Sequence, residues 1–388
     1  MTTTPVTTLD QARALFPHTT QGKLYLNHAA TSPLSNRVVQ AMTSHLAERS
    51  EGRIETYPAD IRMVGECRDL ITRLVHAGSP DRIALTANTS DAINIVAGGV
   101  PLQPGDRVVV GHFEFPANVW PYLNLRRKGI AVEFLHSDKG RVTIDAVERM
   151  ITPDTRLLAV SAVQFLSGHR TDLASLGNLC RDRNIWFVVD GIQAVGAVDI
   201  DVRALGIHAL AAGGQKWQNA PHGNGFLYVS EELQEALQPA SLGWLAVEDP
   251  WQFSDYDQPV ATTARRFEGG SLNMPGLWGY HAALSTLIEF GLPAIESRVR
   301  GLTRLLIDRF SEIPGVDIFT PTDDDQHAGI VTIRPGNADA AVVFKRLLKR
   351  NVTVALREGM LRFSPHFYNT DQEIERAIDL FHETISQP

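Results

Sequence analysis

The stretch from Ile185 to Phe226 limits the possible folds of this chain more than any other. An apolar, β-branched and aromatic run, Ile185 to Val189, ends in Asp190, as expected for a buried parallel strand that ends in a polar residue. A second short apolar run, Ala209 to Ala212, leads through a Gly-Gly turn to Lys216. In an open α/β sheet, ligands bind outside the carboxyl ends of the strands. The stretch therefore predicts an α/β fold in which Asp190 and Lys216 face one crevice.

Gln193 adds a third polar side chain to this crevice. It follows Asp190 by three residues, and a helical turn at this point would project both side chains to the same side. A lone lysine after glycines is often only a solvated loop charge. The arrival of Asp190, Gln193 and Lys216 together is a much stronger indication of a ligand site.

This stretch resembles the pyridoxal-phosphate enzymes of the class V aminotransferase family, relatives of cysteine desulfurases, kynureninases and isopenicillin-N epimerases. The resemblance extends over nearly the whole chain. It implies the α/β fold of fold type I pyridoxal-phosphate transferases, in which a large domain with a mostly parallel mixed sheet carries a smaller α/β domain. It implies pyridoxal 5′-phosphate as cofactor, with Lys216 forming the internal aldimine. It also implies that Asp190 pairs with the pyridine nitrogen and that Gln193 contacts the ring hydroxyl.

The chain is long enough for these two domains, since its 388 residues can bury a large core. We expect the cofactor-binding domain over residues 21–285. The smaller domain should span residues 286–388 together with residues 1–20, whose helix should pack against it. Strand patterns near Ala328–Ile333 and Val352–Leu356 support an α/β organisation of this carboxy-terminal part.

Composition and charge exclude several other classes of protein. The formal net charge of −8 argues against a nucleic-acid partner, and no apolar run reaches transmembrane length. The chain starts without the basic and apolar regions of a signal peptide. Cys67 and Cys180 form no metal-binding spacing and are typical of reduced thiols in a cytoplasmic protein. We therefore expect a cytoplasmic enzyme with no metal and no membrane partner.

Two segments are candidates for holding the cofactor phosphate. Thr89 and Ser90 follow the apolar run Ile83–Thr86, where a helix begins, and the N-terminus of a helix attracts anions. An ordinary serine cap is the alternative, but the match to the family's phosphate-binding turn favours the functional interpretation. Ser271, in a G-G-S turn, matches the family residue that reaches the phosphate of the other subunit. The resemblance thus implies a homodimer with a shared active site, although a simple turn serine is equally compatible with the sequence.

Other positions near the cofactor depart from the patterns of relatives. Phe115 stands where many relatives place an aromatic residue or a histidine against the cofactor ring, and a phenyl ring cannot exchange protons. Gln215 replaces the histidine that precedes the lysine in desulfurases, and Gly213 replaces their phosphate-binding serine. We expect Phe115 and Gln215 to remain beside the cofactor.

A third strand, over Thr155 to Val163, leads to a segment whose role stays open. Relatives often carry an asparagine there, near the cofactor hydroxyl, whereas this chain offers Gln164 or Phe165. His169 and Arg170 are compatible either with pocket residues or with surface charges.

The substrate site is predicted from both ends of the chain. Arg362 lies in the stretch R-F-S-P-H-F-Y-N-T, which resembles the family motif whose arginine holds the substrate α-carboxylate through two parallel hydrogen bonds. Arg357 is a second candidate, but we interpret it as a surface ion pair. In the family, the strand and turn containing His28 and Ala29 line the substrate pocket. On sequence alone, His28 is more often a loop histidine.

The reaction is predicted from what is present and what is missing. Cysteine desulfurases need a mobile cysteine just before the arginine that binds the carboxylate, and here that interval, R-E-G-M-L-R, has none. Lys216 and Arg362 suffice for transamination, which we expect. A cysteine-independent lyase, acting on a C–S bond as desulfurases do, and an epimerase like isopenicillin-N epimerase are alternatives. A pyridoxal-phosphate-binding sensor is a non-enzyme alternative, against which the intact lysine argues.

Overall fold

The computed structural model describes residues 5–55 and 57–386. Its helices are α1 (Leu9–Ala14), α2 (Asn36–Ser50), α3 (Tyr57–Leu74), α4 (Thr89–Gly99), α5 (Trp120–Leu123), α6 (Ile144–Met150), α7 (Leu173–Asp182), α8 (Glu231–Ala236), α9 (Met274–Phe290), α10 (Leu292–Ser311), α11 (Ala340–Lys349) and α12 (Asp371–Ile385). Its strands are β1 (Leu24–Tyr25), β2 (Ile83–Thr86), β3 (Arg107–Gly111), β4 (Ala131–Leu135), β5 (Thr155–Ser161), β6 (Trp186–Asp190), β7 (Ala209–Gly213), β8 (Gly225–Val229), β9 (Asp317–Ile318), β10 (Val331–Arg334), β11 (Val352–Thr353), β12 (Ala355–Arg357) and β13 (Met360–Phe363).

Seven strands of the described chain form a central sheet in the order β2-β8-β7-β6-β5-β3-β4. The strands from β7 to β4 pair in parallel, whereas β8 is antiparallel to both of its neighbours. The predicted α/β fold with a mostly parallel mixed sheet is thus confirmed. Ser161 pairs with Asp190, and Asp190 pairs with Ala211. This register brings the carboxyl ends of β5, β6 and β7 to one edge of the sheet.

Both faces of the sheet are buried, which explains the continuous apolar runs in its strands. In β6, Phe187 and Val189 belong to a hydrophobic cluster on one face of the sheet, and Val188 belongs to a cluster on the other. Strand side chains alternate between faces, so a strand that is covered on both sides needs an apolar residue at nearly every position. Asp190 ends this run at the carboxyl end of β6 and is itself buried.

A smaller antiparallel sheet, in the order β12-β13-β10-β9 within the described residues, lies in the carboxy-terminal part. A separate hydrophobic cluster joins this sheet to α10, α11 and α12. Arg13 of α1 donates to Glu373 and to the carbonyl of Tyr368, each at 2.7 Å. The amino-terminal helix thus contacts this region through Arg13, whereas its buried Ala12 belongs to the large hydrophobic cluster beside the central sheet. The assignment of residues 1–20 to the smaller domain stays a prediction. The predicted boundary at residue 21 remains a prediction, and β1 pairs with β11 of the smaller region.

Local signals located several elements correctly. Ser35, a residue type that favours helix starts, caps α2, since its hydroxyl accepts a 3.3 Å hydrogen bond from the N–H of Val38. The helix expected within residues 1–20 spans only Leu9–Ala14, because Pro17 begins a separate 3₁₀ turn. None of the helices in residues 5–55 and 57–386 combines the length and hydropathy that crossing a bilayer requires.

Candidate active site

Lys216 lies in the tight loop between β7 and β8 and is buried, with 8% of its surface exposed. The loop is closed by hydrogen bonds from the N–H of Gly214 to Asn224 and from the N–H of Ala220 to Gly214. A Cβ at position 214 would lie 2.8 Å from the Cβ of Ala220 and 3.1 Å from the ring of Tyr280. The second glycine of the Gly-Gly turn is therefore needed for close packing, and it holds Lys216 at the end of β7.

Asp190 ends β6, and the structure brings it into electrostatic contact with Lys216. Its buried carboxylate accepts a 3.0 Å hydrogen bond from the N–H of Ile192. Burial raises the pKa of Asp190 to about 6, against the opposing effect of Lys216. Burial also lowers the pKa of Lys216 to about 8, against the opposing effect of Asp190. Two adjacent strand ends thus supply a buried acid and a buried amine at one edge of the sheet.

Gln193 connects three segments that surround the lysine loop. Its Nε2 donates to the carbonyl of Ala29 at 3.0 Å, and its Oε1 accepts from the indole N–H of Trp217 at 2.9 Å. Ala29 in turn donates its N–H to the hydroxyl of Ser364 at 3.0 Å. Gln193 and Ala29, both predicted from the sequence, therefore lie together and join the amino-terminal turn to the residue after Lys216. Trp217 was not predicted, and its position next to the lysine was the available signal.

His28 lies beneath this turn rather than at its surface. Its ring is fully buried, with Nδ1 2.9 Å from the carbonyl oxygen of Ser364 and Nε2 2.6 Å from the hydroxyl of Tyr368. Burial lowers the pKa of His28 well below its usual value. Both ring nitrogens already have partners inside the protein. The predicted place of His28 in the substrate pocket therefore finds no support in its contacts.

Phe115 lies directly beside the lysine. The Nζ of Lys216 is 5.4 Å from the centroid of the Phe115 ring, and Phe165 contacts the same ring edge-on at 5.5 Å. Phe115 keeps 44% of its surface exposed. An aromatic ring with a free face next to the reactive amine is suited to stacking on a planar ligand.

Glu114 positions Phe115 and is a residue that the sequence analysis did not assign. Its carboxylate accepts hydrogen bonds from the hydroxyl of Ser161, from the N–H of Ser161 at 2.8 Å and from Asn118 at 3.1 Å. Burial raises the pKa of Glu114 to about 7, against the opposing effect of the Ser161 bonds. These bonds attach the Phe115 loop to the end of β5. A charged residue within the apolar stretch H-F-E-F-P was the available signal.

The N-terminus of α4 also reaches the lysine loop. Asn88 is its cap and accepts a 2.9 Å hydrogen bond from the N–H of Asp91, so the ordinary serine cap considered above is wrong. The hydroxyl of Thr89 accepts a 2.9 Å hydrogen bond from the N–H of Gly213. The N–H groups of Thr89 and Ser90 precede the first intrahelical bond and can therefore bind an anion.

Two further positions predicted near the cofactor differ in their surroundings. The Oε1 of Gln215 lies 2.5 Å from the point where a Cβ at position 213 would be. The side chain of Gln215 thus occupies the space that a side chain at position 213 would need, so glycine is required there. Ser271 is exposed on the segment that leads into α9.

Arg362 is buried, with 2% of its surface exposed, at the side of the crevice near β5. Its Nη1 donates to the carbonyl of Phe165 at 2.6 Å, and its buried Nε has no partner among the described residues. Burial lowers the pKa of Arg362 to about 9, and the neighbouring Arg357 contributes to this. A buried guanidinium without a carboxylate partner is costly unless an anion binds to it.

Arg357 is exposed on β12, and its Nη1 donates to the carbonyl of Leu356 at 3.0 Å. The surface ion pair expected for Arg357 is absent from the described part of the chain. Arg170, by contrast, forms an ion pair with Glu296 at 2.6 Å, and His169 lies beside it in a short bridge to His327.

The amide of Gln164 is used by the protein itself. Its Oε1 accepts 2.6 Å hydrogen bonds from the N–H groups of Leu166 and Ser167, and its Nε2 donates to the carbonyl of Phe113. Gln164 thus shapes the turn that places Phe165.

Neither cysteine is available as a nucleophile. Cys67 and Cys180 are both free and fully buried. Burial raises the pKa of each thiol to about 12, so neither is available as a thiolate. Within residues 5–55 and 57–386, no group of three or more histidine, cysteine and acidic side chains is placed to bind a metal ion.

The chain also matches known proteins over most of its length. A model of the family described as aminotransferase class-V matches residues 24–377. A probable cysteine desulfurase of Methanothermobacter thermautotrophicus is 31% identical, over 94% of this chain and 94% of its own. Isopenicillin N epimerase of Streptomyces clavuligerus is also 31% identical, over 91% of this chain and 93% of its own.

Solved structures show the same fold. The apo cysteine desulfurase of Thermococcus onnurineus superposes with a TM-score of 0.88 at 26% identity, over 97% of this chain and 98% of its own. A cysteine desulfurase of Escherichia coli superposes with a TM-score of 0.86 at 25% identity, over 98% of both chains. With the family match extending over residues 24–377, this chain belongs to the class V aminotransferase family of pyridoxal-phosphate-dependent enzymes.

Proposed function

We propose that this enzyme is an aminotransferase that acts on an α-amino acid. The observation that carries the proposal is the arrangement of Lys216, Asp190 and Arg362 around one crevice, with both cysteine thiols buried elsewhere. Lys216 supplies an amine, Asp190 a buried carboxylate, and Arg362 a buried guanidinium without an acidic partner among the described residues. These are the groups that amino-group transfer on pyridoxal phosphate requires from a protein.

The residues at the crevice fit pyridoxal 5′-phosphate, which when bound supplies an aldehyde and an electron sink for the substrate Cα. The Asp190 carboxylate has no side-chain hydrogen-bond donor among the described residues, and a pyridinium N–H would provide one. The exposed face of Phe115 is available for the ring. The N–H groups at Thr89 and Ser90 would hold the phosphate.

Lys216 would move a proton at the substrate Cα. Burial lowers the pKa of its amine to about 8, which is near the working pH of most cytoplasmic enzymes. A proton-transfer group is most effective when its pKa lies close to that pH. The cation–π contact, in which Nζ lies 5.4 Å from the centroid of the Phe115 ring, keeps the amine of Lys216 beside that phenyl ring.

Arg362 would orient the substrate through its α-carboxylate. The Nη1 group is occupied by the carbonyl of Phe165, whereas Nε has no partner among the described residues. Nε and the second Nη group of one guanidinium form the edge that binds a carboxylate through two parallel hydrogen bonds. Such a pair would hold Cα within reach of Lys216.

Sulfur transfer through a cysteine is poorly supported. The turn between β12 and β13 consists of Glu358 and Gly359 alone, so it has no mobile segment that could carry a thiol. A cysteine-independent C–S lyase is the second candidate, because relatives of similar length are named cysteine desulfurases. Phe115 and Gln215 offer no titratable group to assist a sulfur leaving group, which favours transamination.

We also propose that the enzyme is a homodimer and works in the cytoplasm. Trp244, Trp251 and Phe253 form an exposed aromatic cluster, in which Trp251 is 5.3 Å from Trp244 and 6.0 Å from Phe253. Trp244 lies over Gly270, next to Ser271. Monomers rarely expose a contiguous apolar patch of this kind. A second subunit covering the cluster would bring Ser271 to the interface.

A half-reaction tests the proposed transamination. The holoenzyme is mixed with candidate amino donors in the absence of an acceptor. Pyridoxamine phosphate and one keto acid per site should accumulate. Catalytic formation of pyruvate with ammonia or sulfide, while the cofactor remains an aldehyde, would show that the enzyme is a lyase.

A further inference from the structure

We propose that Arg357 binds a second carboxylate of the substrate, so that the enzyme selects dicarboxylic α-amino acids. The inference rests on the proposed function, in which Arg362 binds the α-carboxylate. It concerns substrate choice and requires no additional chemical step.

The register of one hairpin places the two arginines together. Ala355 of β12 pairs with Arg362 of β13, and Arg357 pairs with Met360. Paired residues project from the same face of a sheet, and so do residues two apart along a strand. Arg357 and Arg362 are therefore diagonal neighbours on one face, on the order of 7–8 Å apart.

The turn of this hairpin limits the freedom of Arg357. Glu358 and Gly359 both have positive φ, of 46° and 69°, as in the two-residue turns that match the twist of a hairpin. The turn follows Arg357 directly. The backbone of Arg357 is thus held in register with Arg362 by a short connection.

Neither arginine has an acidic partner among the described residues. Arg362 donates to the carbonyl of Phe165, and Arg357 donates to the carbonyl of its own neighbour, Leu356. Like charges on one face of a hairpin repel each other. Burial lowers the pKa of Lys216, and both arginines lower it further. Two neighbouring guanidinium groups without acidic partners are suited to binding carboxylates.

The cofactor phosphate is not the natural occupant of this pair. The N-terminus of α4 reaches the end of β7, through Thr89 and Gly213, whereas Arg362 contacts Phe165 after β5. Strand β6, which carries Asp190, separates β7 from β5. With strands about 4.8 Å apart, the two anion sites lie on opposite sides of Asp190.

A substrate with two carboxylates fits this separation. With its α-carboxylate on Arg362, a side chain of two or three carbons would bring a terminal carboxylate towards Arg357. A neutral side chain would leave Arg357 without an anion. The expected preference is therefore for aspartate- and glutamate-like amino acids over alanine or norvaline.

Kinetics of the variant R357Q in the half-reaction provide the first test. The concentration of aspartate or glutamate that gives half the maximal single-turnover rate should rise about tenfold or more, as expected for losing hydrogen bonds to a charged group. The values for alanine and norvaline should change little. R376Q, at an exposed arginine of α12, is the matched control and should behave as the wild type. An equal loss for all four amino acids would overturn the proposal.

Binding without reaction provides the second test and does not depend on transamination. Calorimetric titration of the holoenzyme with glutarate and with butyrate should show tighter binding of glutarate, and R357Q should abolish that difference. Equal binding of the two acids by the wild type would refute the role of Arg357, even if the enzyme proved to be a lyase. A loss of cofactor from R357Q, seen in its absorbance, would assign Arg357 to the cofactor and would also overturn the proposal.

Discussion

The indole N–H of Trp217 donates a 2.9 Å hydrogen bond to Oε1 of Gln193, and thereby joins the residue after Lys216 to the turn that follows Asp190. Gln193 uses its other amide atom to hold Ala29. All of these groups are buried, so the bond is shielded from water. It makes the position of the lysine loop depend on the strand that carries the aspartate.

The variant Trp217→Phe should therefore lose stability and activity together. It keeps an apolar ring but leaves Oε1 of Gln193 buried without a donor, which costs about 1–3 kcal/mol of unfolding free energy. Urea denaturation measures this loss. Trp120→Phe, at a tryptophan with 66% of its surface exposed, should change the unfolding free energy by less than about 0.5 kcal/mol. Equal effects of the two variants would contradict this role of Trp217.

Replacing Asp190 by asparagine should preserve the fold and lower turnover. The asparagine side chain would still accept the hydrogen bond from the N–H of Ile192, but a neutral amide cannot hold a ring proton as a carboxylate does. We expect cofactor binding to persist while kcat falls on the order of 10²-fold or more. Steady-state kinetics and cofactor absorbance measure the two effects. Asp172→Asn is the control, because asparagine caps helices equally well and Asp172 caps α7. Near-normal turnover of Asp190→Asn would refute the assignment.

Lys216 should destabilise the cofactor-free protein at neutral pH. Its pKa is lowered from 10.5 to about 8 by burial, which corresponds to about 3 kcal/mol. Below pH 8, Lys216 is protonated in both the folded and the unfolded state, so the folded state is destabilised by the full free energy of burying the charge. Between pH 8 and 10.5 the unfolded state binds more protons, and stability rises with pH.

The variant Lys216→Met should accordingly be more stable than the wild type at pH 7, and this gain should shrink as the pH approaches 10.5. Urea denaturation of the cofactor-free proteins at several pH values measures the difference. Lys23→Met, at an exposed lysine, should give no such gain. A gain that does not vary with pH would show that packing, and not the buried charge, is responsible.

The exposed aromatic cluster should hold the proposed dimer together. Trp251→Glu would place a charge at the centre of the cluster, where Trp251 contacts Trp244, Phe253 and Tyr57. Sedimentation should then show monomers with greatly reduced activity. Leu348→Glu, at an exposed leucine of α11, should remain dimeric. A fully active monomer of either protein would contradict a shared active site.

Much of the central architecture could be predicted from local signals. The runs that end in Asp190 and before Gly213 are apolar because both faces of the sheet are covered, and that pattern is visible without a structure. Resemblance to a family then indicated Lys216 as the reactive amine. The cap of α4 was missed, because Asn88, Thr89 and Ser90 are all competent caps and only backbone geometry selects Asn88.

Burial and long-range contacts could not be predicted from the sequence. His28 pairs with Tyr368, which is 340 residues away, so no local pattern distinguishes a buried packing histidine from a substrate contact. From the sequence, Glu114 resembles an ordinary charged residue, because only the tertiary structure shows its hydrogen bonds with Ser161. The sequence by itself determined where the strands end and which polar residues follow them, because periodicity and glycine placement are local properties. Only the tertiary structure decided which charges are buried and which face each other, as with Arg357 and Arg362, because that depends on strand register and on solvent exclusion by distant segments.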